Sequence, residues 1–124
     1  PALDADLAAG TLPHFMYLSP NIDNDAHNTN PTFAGAWLDK FFAERLLKFP
    51  VGTLVVVTWD EDDYSEKNQV LTFLLDPNGS IFKAGTVDKT KYDHYSLLRT
   101  VEDNWDLGTL GRNDVDAIPF NFAA

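Results

Sequence analysis

The chain contains no cysteine, so it has neither a disulfide framework nor a thiolate metal site, and a bound metal must be held by oxygen and imidazole. Basic residues are scarce: nine Lys and Arg stand against nineteen Asp and Glu in 124 residues, a formal charge of -10. Affinity for nucleic acid rests mainly on Lys and Arg meeting phosphates, which argues against a nucleic-acid partner. No apolar run approaches the roughly 18 residues that span a bilayer, and no signal-peptide pattern is present. Repeats and low-complexity segments are also missing. So are a glycine-rich phosphate loop, a nucleophile elbow and a two-histidine zinc helix, which leaves those reaction classes without support. There is no initiator Met, and Pro1 opens a polar stretch that reads as the interior of a longer chain.

What is present is one domain's worth of sequence, long enough to bury a core without staples, with a pI near 4.4 that suits mildly acidic surroundings. Its organising stretch is TLVVVTWDEDD, residues 53–63, where a β-branched run stops in four acidic residues. Leu54, Val55, Val56 and Val57 read as a short strand covered on both faces, because an apolar run without alternation suits the middle of a parallel sheet. Asp60 and Glu61 then lie at its carboxyl end, the edge at which open α/β sheets bind ligands. The competing reading is a solvated acidic loop.

Around that stretch the pattern is strand, loop, helix, strand. Residues 1–12 read as a surface approach with one helical turn, and residues 14–18 (HFMYL) as a short apolar strand. Residues 21–31 are dense in Asn and Asp, which favour turns and side-chain to backbone bonds. From Thr32, Phe33, Trp37, Leu38, Phe41, Phe42, Leu46 and Leu47 recur at helical spacing, with Pro31 in the first turn and Pro50-Val51-Gly52 beyond the end. That order predicts a parallel strand pair with a right-handed crossover. Residues 68–75 (NQVLTFLL) predict another strand, ended by the Asp76-Pro77-Asn78-Gly79 turn, and residues 80–90 a loop or edge strand. Asp93 or His94 opens a last helix with Tyr95, Leu97, Leu98, Val101 and Trp105 on its apolar stripe, and the irregular tail is expected to pack by Ile118 and Phe120. Asn78-Gly79-Ser80 forms a glycosylation sequon in a turn, marking the parent as a candidate glycoprotein.

Three polar groups therefore fall at element ends: Asp23, Asp25 and His27; Asp60 and Glu61; Asp93 and His94. Carboxylates suit a hard divalent cation and imidazole a borderline one, so a site can be assembled without cysteine if the sheet gathers these loops along one edge. Asp93 equally reads as a helix N-cap. His14, on an apolar strand without an acidic neighbour, reads as structural, and Asp62, Asp63 and Glu66 as solvent-facing. Residues 60–63 lack the alternating ligands and central glycine of the known calcium loop.

The combination SPNIDNDAH, VVVTWDEDD and YDHYSLLRTVEDNWDLGTLGRND, in that order and spacing, resembles the carboxyl-terminal half of the phosphoesterase family of fungal secreted acid phosphatases and bacterial phospholipases C, within the alkaline phosphatase superfamily. The resemblance spans residues 12–120. It implies the carboxyl-terminal part of an α/β/α sandwich with a largely parallel sheet, and metal-dependent hydrolysis of phosphate esters of the acid phosphatase type. By motif position it implies a divalent metal on Asp60 and Glu61, with Asp25, His27 and His94 as further members of the site. His27 would bind phosphate or protonate the leaving oxygen. Many relatives continue after Thr-Trp-Asp-Glu with glycines ending in Asp-His-Val; here Asp62-Asp63-Tyr64 and Asn68-Gln69-Val70 stand instead, which leans toward the acid phosphatase branch and leaves Asn68 without an assigned role. The family's early Glu-Asn motif and nucleophile region match no part of this chain, and Ser19, Ser65, Ser80 and Ser96 are no substitutes. The expected picture is a piece of a secreted or extracellular hydrolase, incomplete by itself, whose partners are a phosphate ester and either the missing amino-terminal half or a second copy. The alternative is a catalytically inactive fragment serving as an association or binding module.

Overall fold

A computed structural model describes residues 2–122. Its elements are, in order, α1 (Ala2–Ala9), α2 (Pro31–Arg45), a 3-10 turn (Leu46–Lys48), β1 (Val55–Thr58), β2 (Thr72–Leu75) and α3 (His94–Trp105). The amino-terminal segment forms two turns of helix rather than one, because Asp4 of α1 grips Arg45 through two bonds, Nε to Oδ1 at 2.7 Å and the second guanidinium arm to Oδ2 at 3.0 Å. Arg45 also lies over the Phe41 ring, 4.7 Å from its centroid. The hydrogen bond from Arg45 holds the Asp4 carboxyl below its ordinary pKa.

α2 starts where the sequence signals place it: the Asn30 side chain accepts from the Phe33 amide at 3.0 Å, and Pro31 occupies the first turn, where its missing N–H costs nothing. The sheet departs from expectation. β1 pairs only with β2 among the described residues, and antiparallel, in the register Val55↔Leu75 to Thr58↔Thr72. Residues 14–18 form no strand, so the predicted parallel pair with its crossover is not formed. A strand takes the partner its chain can deliver, and the 59–71 loop brings β2 back alongside β1 as a local, antiparallel return. The strand expected over residues 68–75 is confined to Thr72–Leu75, since Asn68 takes a left-handed backbone (φ 62°) that no ladder accepts.

The turn after β2 is built by side chains. Asp76 accepts the amides of Ile81 and Phe82, while the Asn78 amide nitrogen donates to the carbonyls of Phe49 and Pro50, each at 3.2 Å, and the Ser80 hydroxyl accepts from the Gly52 amide. The sequon is thus a clamp between the entry to β1 and the exit from β2, and the nitrogen a glycan would use is already occupied.

α3 opens on a full capping box. Asp93 accepts from the Tyr95 and Ser96 amides, and the Ser96 hydroxyl accepts in return from the Asp93 amide. Its most enclosed side chains are Ser96, Thr100 and Glu102, not the apolar stripe; Tyr95 and Trp105 are each 40% exposed. Thr100 explains this: its hydroxyl donates to the Ser96 carbonyl at 2.7 Å and accepts the Phe120 amide at 2.8 Å, tying the tail to the helix. Phe120 packs edge-on against Tyr92, whereas Ile118 is exposed, so half of the expected tail packing forms.

Apolar packing is thin. Only Ala34 and Phe49 are buried hydrophobics among the described residues, and the accessible surface is 9203 Å². A compact monomer of 13.9 kDa has roughly 6,700 Å² by the usual size scaling. Phe15, Tyr17, Leu18, Leu107 and Leu110 all stand in solvent.

Candidate functional site

The residues at the ends of β1, the 21–29 loop and α3 meet through two hydrogen bonds to backbone carbonyls. The Trp59 indole N–H donates to the Asp25 carbonyl at 2.7 Å, and His94 Nε2 lies 2.7 Å from the Asp60 carbonyl. A carbonyl only accepts, so His94 carries its proton on Nε2 and leaves Nδ1 facing away from that bond. Trp59 and Asp60 are adjacent in sequence, so the two residues just past β1 are tied to both the loop and the helix. The strand end, the Asn-Asp-x-His loop and the helix start are thereby tied together beyond β1.

Within the 21–29 loop the bonds are local. The Asp25 carboxylate accepts the His27 amide at 2.9 Å, the Asn28 amide reaches the Ile22 carbonyl, and the Thr29 hydroxyl reaches the Asp23 carbonyl. They hold Ala26 at φ 85°, a left-handed conformation disfavoured for a residue with a Cβ. The His27 ring is exposed, with Nδ1 at 3.0 Å from the Asn28 side-chain oxygen; donation through Nδ1 leaves Nε2 open. Asp25 therefore shapes the loop with its carboxylate, while His27 presents a free ring nitrogen.

The acidic run after β1 divides in two. Asp60 and Glu61 are exposed, and their carboxylates have no hydrogen bond or ion pair among the described residues. Asp62, expected to face solvent, is half-buried and folds the loop: it accepts the amides of Tyr64 (2.9 Å), Glu66 (2.8 Å) and Asn68 (3.0 Å). Asn68 acquires its role here, accepting the Asp62 amide through its side-chain oxygen at 3.0 Å. Partial burial pushes the Asp62 pKa up, but the three amide donors outweigh it and hold the carboxyl below its ordinary value. These bonds sustain positive φ at Tyr64, Lys67 and Asn68.

The free carboxylates of Asp60 and Glu61 have the oxygen chemistry a hard divalent cation takes. Two carboxylates alone do not complete a coordination sphere, and among the described residues no three His, Asp or Glu side chains are grouped to hold a metal ion. Asp93 is the cap of α3, and His14 lines a shallow apolar groove with Phe15, Trp105 and Leu107, remote in kind from the polar edge. The sequence reading missed Trp59. The signal for it was an indole N–H directly preceding the acidic pair, a donor that a half-buried ring must satisfy.

A profile of the Phosphoesterase family matches residues 1–108. The chain is 43% identical over 115 residues to the phosphate-repressible acid phosphatase of Penicillium chrysogenum, covering 90% of this chain and 28% of that protein. It is 40% identical over 122 residues to the acid phosphatase of Aspergillus niger, covering 96% and 29%. With the phosphatidylinositol-3-phosphatase of Mycobacterium tuberculosis it shares 35% identity over 101 residues, covering 81% and 32%. The chain thus spans less than a third of the length of each of these relatives. No solved structure matches it. Among the described residues no helix is long and apolar enough to cross a membrane.

Proposed function

Because this chain belongs to the Phosphoesterase family, we propose that it is the carboxyl-terminal part of a secreted, metal-dependent phosphatase of the acid phosphatase type, acting on phosphate esters within a larger α/β/α sandwich. The observation that carries the reading is the sheet edge where the Asp60 and Glu61 carboxylates and His27 Nε2 stand free among the described residues, while the Asp60 carbonyl and the His27 amide are bonded in place. The names and identities of the fungal relatives support the reaction class. Their greater length supports a nucleophile and further ligands on sequence beyond this chain.

Asp60 and Glu61 would hold the metal. Once bound, a divalent cation supplies Lewis-acid neutralisation of charge on the phosphoryl oxygens. His27 Nε2 binds a phosphate oxygen or delivers a proton to the leaving oxygen. Asp25 and His94 act one step removed: Asp25 holds the amide of His27, and His94 holds the carbonyl of Asp60. In the longer protein, Asp60→Ala with Glu61→Ala is expected to abolish p-nitrophenyl phosphate hydrolysis and divalent-metal binding. Full activity in that double variant overturns the assignment.

A second reading, an association module, is favoured by one observation, the accessible surface of 9203 Å² on a 13.9 kDa chain. The 124-residue chain on its own then pairs with the rest of the enzyme or with a second copy. A stable monomer of 13.9 kDa in sedimentation would count against it.

A further inference from the structure

We infer that Trp59 is a positioning residue, which sets the His27 loop in register with Asp60 through its indole N–H. Among the described residues, the Trp59 bond to the Asp25 carbonyl is the one hydrogen bond that joins residues 21–29 to an element other than their own span and the helix that follows. Every other bond of the loop closes inside it, so these bonds shape the loop without saying where it sits. The indole is half-buried and leans on Phe73 of β2, ring centroids 6.3 Å apart, so the donor is carried on a ring fixed by the sheet. Asp25 is two residues from His27 and Trp59 one residue from Asp60. A single 2.7 Å bond therefore determines the separation of the imidazole from the free carboxylates.

The activity arm of the test rests on the phosphatase reading; the exchange arm does not. In the longer protein, Trp59→Phe keeps an aromatic ring and removes the donor. We expect kcat/KM for p-nitrophenyl phosphate to fall about 10-fold, the scale on which outer partners of a site act. The double variant with His27→Ala should match His27→Ala alone within about 2-fold, because residues acting through one another are not additive. Amides of Asp25 and Asn28 should exchange hydrogen about 10-fold faster, with Val56 and Leu74 of the ladder unchanged. Additive losses overturn the inference, and so does unchanged exchange in the loop. If the protein hydrolyses no phosphate ester, or His27→Ala is fully active, the phosphatase reading or its histidine fails and exchange alone judges Trp59. Should Trp59→Phe fail to fold, benzothienylalanine at position 59 deletes the N–H while keeping the bicyclic shape, with the same expected and overturning results.

Discussion

Asp60 and Glu61 differ from Asp62 and Asp114 in what their carboxylates hold. The first two face solvent and hold nothing among the described residues. Asp62 gathers three amides of its own loop, and Asp114, with no exposure at all, accepts the Leu110 amide at 2.7 Å and the Arg112 amide at 2.9 Å. A carboxylate whose lone pairs already bind backbone N–H groups has little left for a ligand, and its removal leaves those donors unsatisfied. Acidic residues at the end of a strand are thus two populations. After β1, Asp62 folds the loop and Asp60 and Glu61 stand free on it.

Activity separates them most sharply. Replacing Asp60 or Glu61 singly by Ala in the longer protein should lower phosphatase kcat/KM by more than about 100-fold, beyond what outer partners cost, with little change in thermal midpoint. Asp114→Ala is expected to do the reverse: the largest drop in midpoint among the aspartate variants by calorimetry, with the loss of activity tracking the unfolded fraction. Asp62→Ala should fall between, speeding hydrogen exchange across residues 64–68 and reducing activity by roughly 10-fold through the displaced neighbour.

A smaller effect is expected from pH. Burial raises the Asp114 pKa, but the Arg112 and Leu110 amides more than offset it, so the folded value lies below the ordinary 3.8. A carboxyl with a depressed folded pKa contributes stability above its unfolded value and loses it as pH falls through the folded one. Stability should therefore decline below about pH 4, and Asp114→Asn should flatten that decline in acid unfolding curves. Smallest of all, Ala26→Gly relieves the strain at φ 85° and should leave the midpoint almost unchanged. If it instead destabilises the protein strongly, the Ala26 methyl packs against something that the loop bonds alone do not account for.

The helix starts and the placing of the candidate residues at element ends were readable from residue types. Pro31 and Asp93 mark helix starts because such signals are local, acting within three residues of chain. Asp25, His27, Asp60, Glu61 and His94 were legible as candidates because motif spacing brings them to element ends. Asp62 and Asn68 were misread or left open because their partners are each other and amides up to six residues away, a geometry that charge alone does not announce. The burial of Thr100 on α3 is not legible from the helical pattern, because the tail amide that its hydroxyl holds arrives twenty residues later.

The helices at residues 31–45 and 94–105, the strand core at residues 55–58 and the acidic balance follow from the chain itself, since they depend on propensity, composition and neighbours in sequence. Tertiary structure decided the pairing of β1 with β2 rather than with residues 14–18, the seating of the His27 loop on Trp59, and the hold of His94 on Asp60. Each of these joins segments 14 to 34 residues apart, where the choice of partner depends on which surfaces the folded chain brings together.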